Sequence, residues 1–101
     1  MKLYPVVWHP RAARDLLALY DWIAARADPD TAYAYTSKIE AHAATLAQFP
    51  ERGPPRDDLI PGLRTLIYRR RTIIAYRVTD SAVEVLRLVH GGQDWDGGEE
   101  R

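Results

Sequence analysis

Six arginines fall between Leu63 and His90: Arg64, Arg69, Arg70, Arg71, Arg77 and Arg87. Only Asp80 and Glu84 oppose them, so this stretch is basic in a chain whose formal net charge is zero. Arg87 stands in the middle of an apolar run, and arginine is rarely buried without a partner. It therefore pairs with Glu84 or a helix carboxylate, or it has a functional role. Arg69-Arg70-Arg71 fall at a turn, where charged side chains are ordinary, and read either as a solvated turn or as a contact element. His90 ends a run ahead of Gly91-Gly92. A histidine there has the chemistry of a general base, although a lone histidine is more often structural. His9 and His42 read as a residue leading into a helix and a helix-surface residue. There is no pair of carboxylates, no His/Cys cluster, no nucleophile elbow and no glycine-rich phosphate loop opening a helix.

The wider composition narrows the classes. A length of 101 residues makes one domain with a real core. The boundaries expected are a single domain over 1–95 and an acidic mobile tail over 96–101. The chain has no cysteine, which excludes disulfides and thiolate metal sites and suits a reducing, cytoplasmic setting. No metal or other cofactor is expected. No apolar run approaches the roughly 18 residues of a membrane span, and the first ten residues lack the apolar segment of a signal peptide. Zero net charge argues against a molecule that binds nucleic acid by its overall electrostatics.

Three apolar runs carry the arginines: residues 63–68, 72–78 and 83–90. They are rich in Val, Ile, Tyr and Thr, side chains that suit a pleated, half-buried surface. Their connections are so short that they predict an antiparallel meander. Ahead of them, Leu3 to Trp8 is a short extended run interrupted by Pro5, which predicts an edge strand. Pro10 then stands where a first helical residue would, and Ala12, Leu16, Leu19, Tyr20, Ile23 and Ala27 follow at helical spacing. Asp28-Pro29 restarts the chain as a cap and first residue. Ala32, Tyr35, Ile39, Ala43 and Leu46 make a second stripe. The few residues between the helices predict a helical hairpin. Pro50 to Gly62, with four prolines and two glycines, reads as an irregular connection whose Leu59 and Ile60 plug the core edge. The order strand, helix, helix, three strands predicts an α+β fold with the hairpin on one face of the sheet.

Strict alternation assigns the strand faces. In the last run Leu86, Leu88 and His90 share one face, and Val83, Val85, Arg87 and Val89 the other. Ile74, Tyr76 and Val78 oppose Ile73, Ala75 and Arg77. Leu63, Thr65 and Ile67 oppose Arg64, Leu66 and Tyr68. Helices cover one face only, so the other is expected to be an open surface of aliphatic side chains and arginine, suited to a protein partner.

Several collinear motifs carry a resemblance. Val7-Trp8 before Pro10, the Ala13 to Leu16 region, Phe49-Pro50-Glu51-Arg52-Gly53, Gly62-Leu63-Arg64, Ile73 to Val78 and Val85 to His90 together resemble the RelE/ParE superfamily of toxins from type II toxin–antitoxin pairs. The similarity runs from about residue 6 to residue 94. It implies a β-α-α-β-β-β fold and a cognate antitoxin. RelE-like members cleave messenger RNA on the ribosome with basic side chains and often a tyrosine or histidine; ParE-like members act on DNA gyrase. Arg64 falls where RelE-like toxins carry a functional lysine. Leu66, Ile73 and Gln93 stand where further basic residues are expected, and no tyrosine follows Tyr76. The resemblance therefore implies a ParE-like gyrase inhibitor with no catalytic site of its own. Arg70, Arg71, Arg87, His90 and Trp95 are the residues expected to meet the target. Leu16, Tyr20, Tyr35, Ile73 and Arg77 are those expected to meet the antitoxin, and a homodimer through the same apolar surface is a further expectation. The alternative is a metal-independent, ribosome-dependent endoribonuclease, for which Arg64, Arg87 and His90 would have to converge on one phosphate. Alternation sends Arg87 and His90 to opposite faces unless a bulge intervenes. An inactive binding module is the third reading.

Overall fold

The computed structural model describes residues 2–91. The order is β1 (Val6–Trp8), α1 (Pro10–Arg26), α2 (Pro29–Ala44) with a 3-10 turn at Thr45–Ala47, β2 (Arg64–Tyr68), β3 (Thr72–Val78) and β4 (Val83–His90). The strands form one sheet in the order β1-β4-β3-β2. β2, β3 and β4 are the expected antiparallel meander. β1 lies at the edge, as Pro5 suggests, and runs parallel to β4. Pro5 donates nothing, but its carbonyl accepts from Val83 N at 2.9 Å.

Both helices start where their local chemistry dictates. Pro10 needs no amide partner, and the His9 ring accepts from Arg11 N at 3.2 Å. Asp28 caps α2 by accepting from Thr31 N at 2.7 Å, ahead of Pro29. The apolar stripes meet the sheet in one core that includes Ala12, Leu19, Ile39, Ala43 and Leu46 from the helical side. Leu66, Ile74, Tyr76, Val83, Val85 and Leu88 answer from the strands. Thr36, which the stripe does not predict, is also buried and satisfies its hydroxyl on Ala32 O at 3.0 Å. No helix among the described residues is long and apolar enough to cross a membrane.

The alternation assigned to β4 needs correction. Tyr76 pairs with Val85 whereas Ala75 pairs with Arg87, so Leu86 is an extra residue in β4. This bulge lets Val83, Val85 and Leu88 all enter the same core, although strict parity separates Leu88 from the two valines. His90, paired with Thr72, follows Leu88 onto the helix-facing side. The assignments for β2 and β3 hold: Leu66, Ile74 and Tyr76 are core, and Tyr68 and Val78 pack against it. On the outer face Ile67 and Arg77 are exposed and Ile73 is half-buried, while Ala75 and Val89 are buried.

The connection from Pro50 to Gly62 is stitched onto the sheet. The Tyr76 hydroxyl accepts from Gly53 N at 2.9 Å and donates to Pro50 O at 2.8 Å. Arg64 Nη1 donates to Gly53 O at 2.7 Å and Glu51 O at 3.1 Å. A Cβ at Gly53 would collide with the Thr65 carbonyl oxygen and lie 2.8 Å from the Tyr76 hydroxyl, so only glycine fits this approach. Leu59 and Ile60 are half-buried.

Candidate functional site

α1 runs beside the second half of β4, and a cleft of about 480 Å³ opens between them. Asp15, Leu19 and Trp22 line it from α1, Arg87 and His90 from β4, and Arg71 from the β2–β3 turn. The bulge precedes both Arg87 and His90, so the two still alternate, Arg87 opposite Ala75 and His90 opposite Thr72; they line one cleft because the Arg87 side chain turns to Asp15 of α1. Arg87 Nε donates to Asp15 Oδ2 at 2.8 Å, and Leu88 N donates to the same oxygen at 2.9 Å. Arg87 has thus taken the helix carboxylate, not Glu84, which holds Arg77 at 2.8 Å. Asp15 occupies Nε and Nη2, and Arg87 Nη1 is the only buried side-chain polar atom among the described residues without a hydrogen-bond partner.

His90 is built into a second network. Its Nδ1 lies 2.9 Å from Thr72 Oγ1, which lies 3.2 Å from the Tyr35 hydroxyl. Trp22 meets the imidazole edge-on at 5.7 Å and Tyr35 at 5.9 Å. Tyr35 continues to Tyr68 at 5.7 Å, and Tyr68 to His42 at 5.2 Å. Burial, and then the neighbouring Arg71 charge, hold His90 below the ordinary imidazole pKa. Burial and Arg52 do the same to His42. Both rings therefore favour the neutral form, and His42 is half-buried against Tyr68.

Arg64 lies elsewhere. It lines a separate hollow with Lys2, Tyr4 and Asp80. Arg64 pairs with Tyr76 and His90 with Thr72, which sets the two roughly 13 Å apart along β3. β3 itself stands between their strands. The three residues of the nuclease alternative thus fall in two places. Among the described residues no three histidine or carboxylate side chains gather in a metal-binding group.

Comparison with known proteins decides the family. The profile of the ParE toxin of the type II toxin–antitoxin system, parDE, matches residues 6–95. The chain belongs to that family. It is similar to a chain of the chromosomal ParDE toxin–antitoxin system from P. aeruginosa, with 28% identity over 88% of this chain and 97% of that one, at a TM-score of 0.79. It is also similar to a chain of the RelBE2 toxin–antitoxin complex from Mycobacterium tuberculosis, with 26% identity over 92% and 97% of the two chains and a TM-score of 0.65. A chain of the E. coli DinJ-YafQ complex, 15% identical over 87% and 92%, shares the fold at a TM-score of 0.58. No curated protein sequence gives a significant match.

In this ParE-family chain the other expected site residues are dispersed. Arg70 and Arg71 are exposed at the β2–β3 turn. Leu16 and Tyr35 pack against the core and Tyr20 is half-buried, all on the helical layer. Ile73 and Arg77 lie on the outer sheet face, so the five antitoxin candidates do not form one continuous surface. Trp95 lies outside the described residues, as does the tail. The ring sequence from Trp22 through His90, Tyr35 and Tyr68 to His42 is absent from the sequence reading. Its only sequence signal was an aromatic or imidazole side chain on each of four elements, with nothing local to connect them. A further cleft, of about 1070 Å³, is lined by Leu3, Ala47 and Phe49 near the end of α2.

Proposed function

We propose that this ParE-family toxin inhibits DNA gyrase, and with it replication, by protein–protein contact, and that a cognate antitoxin neutralises it. One observation carries the reading. Arg64 is spent holding the Gly53 and Glu51 carbonyls, far from Arg87 and His90, while Arg87 is neutralised by Asp15. Metal-free RNA cleavage needs a base, an acid and cations around one phosphate, and among the described residues Arg64, Arg87 and His90 do not come together as that set. The toxin–antitoxin assemblies of its structural relatives support an antitoxin for this chain too. A segment that folds on binding is the form of partner suited to the helical hairpin and the outer sheet face. The action is cytoplasmic.

The alternative, a ribosome-dependent endoribonuclease, draws support from one feature: the hydrogen-bonded Tyr35–Thr72–His90 chain beside Arg71. The deciding experiment adds the antitoxin-free protein to a gyrase supercoiling reaction and, in parallel, to programmed ribosomes. Lost supercoiling or trapped cleaved DNA with intact messenger is the expected result. Cleaved messenger with normal supercoiling would overturn it and direct substitution to His90 and Arg71.

A further inference from the structure

The β2–β3 turn is built against its own backbone preference. Arg71 N donates to Tyr68 O at 3.2 Å, and the two residues between, Arg69 and Arg70, have φ of 53° and 64°. That is the tight turn usually made by Asn-Gly, because both central residues need positive φ. Arginine there is strained at each position, because its Cβ crowds the backbone in the left-handed region. The turn is anchored as well as strained, since Gly91 N donates to Arg71 O at 2.8 Å.

Arg69, Arg70 and Arg71 are exposed, and no carboxylate within the described residues pairs with any of them. Arg71 also lines the cleft between α1 and β4, in which Arg87 is already paired with Asp15 and its Nη1 is buried. Arg26 stacks on Trp22 at 4.1 Å beside the same cleft. Among the described residues this end of the molecule is therefore cationic. The acids nearest Arg26 in sequence are Asp28, which caps α2, and Asp30 in its first turn.

We infer that this arginine turn grips the phosphate backbone of duplex DNA through Arg69, Arg70 and Arg71. Three consecutive guanidinium groups held on one fixed turn at the sheet's end can contact a row of phosphates without entering a groove. Single-strand readers instead offer open aromatic faces for bases. Here Arg26 already lies over Trp22 and Arg69 over Tyr68. An acidic protein surface would want an apolar anchor among the charges; Trp22, the exposed ring in this cleft, already carries Arg26, and Leu3 and Phe49 gather on a different cleft. Zero net charge makes the contact weak and confines it to this end. The inference extends the gyrase reading, since gyrase works on duplex DNA.

The test uses the full chain and a labelled duplex of ~20 base pairs, with binding followed by fluorescence anisotropy as salt is raised. Gyrase is absent, so failure here and failure of supercoiling inhibition are separate results. Three phosphate contacts give a slope of about −2.7 in log K against log salt. Arg70→Gln and Arg71→Gln should each remove about one unit of it. Arg56→Gln, which breaks only the exposed pair with Asp58, should leave the slope unchanged. The double change Arg69→Asn with Arg70→Gly relieves the turn, so it should raise the melting temperature while weakening DNA binding about tenfold or more. Equal binding by the turn variants overturns the proposal, as does tighter binding to a single strand of the same length. So does an absence of duplex binding at low salt accompanied by turn-dependent binding to polyglutamate, which reassigns the end to an acidic protein.

Discussion

Tyr76 is fully buried, yet its hydroxyl has two jobs 23 and 26 residues away in the chain: it accepts from Gly53 N and donates to Pro50 O. Burial pushes its phenol above the ordinary value of 10.0, which keeps the donor in place at any working pH. Tyr76→Phe preserves the ring and strands the buried Gly53 amide, so it should cost about 1–3 kcal/mol. Urea unfolding measures this; an unchanged midpoint would mean that water replaces the hydroxyl without loss. Asp15 and Arg87 make a second long-range pair, each side chain about four-fifths buried. Asp15→Ala leaves the guanidinium and the Leu88 amide without an acceptor and should cost about 3 kcal/mol. Asp15→Ala combined with Arg87→Ala should cost clearly less than the sum of the single changes, with a coupling of about 1 kcal/mol or more in a double-mutant cycle. A strictly additive cycle would show that the pair is incidental. The sequence makes a partner for Arg87 legible, because a guanidinium in an apolar run demands one. It does not make Asp15 legible, because 72 residues separate the two.

The elements themselves were readable because each is punctuated locally: Pro10 and Asp28-Pro29 open the helices, Pro5 marks the edge strand, and the turns at 69–71 and 79–82 bound the meander. The β4 bulge was not, since no glycine or proline marks Leu86. A single unmarked residue reversed the face of everything after it. That reversal brings His90 under the helices, where Trp22, Tyr35, Tyr68 and His42 tie the hairpin to the sheet. The seam has a pH dependence of definite sign. Burial depresses both imidazole pKa values below 6.5, so the unfolded chain binds protons more readily than the folded one. Stability from this source is complete above 6.5 and is lost as pH falls from there toward the depressed folded values. Thermal melts between about pH 8 and about pH 5 should show the melting temperature falling through the histidine range. His42→Gln with His90→Gln should flatten that fall. A wild-type curve that stays level until the carboxylates titrate would refute the assignment.

At the scale of the whole molecule, one apolar cleft lies apart from the arginine turn. The arginines crowd the end formed by the β2–β3 turn and the close of β4. Leu3 and Phe49, 61% and 58% exposed, share the cleft beside the end of α2. Formal net charge is zero and the pI is about 6.8, so at neutral pH no long-range repulsion keeps copies apart. An exposed apolar cleft on an uncharged molecule is a place for association. In the absence of an antitoxin the nearest occupant is a second copy of the chain. Light scattering or sedimentation at about pH 7 should therefore show the average mass rising with concentration, and rising less at about pH 9, where the chain becomes anionic. Covering one such side chain is worth about 1.5–3 kcal/mol, so Leu3→Ser with Phe49→Ser should weaken self-association by about tenfold or more. Arg70→Gln, at the basic end, should leave it unaltered. A monomeric mass at all concentrations, or an association that the cleft substitutions do not touch, would remove this cleft as a self-contact. It would then leave the outer sheet face, where Ile67 and Ile73 sit across from one another, as the apolar surface to substitute next.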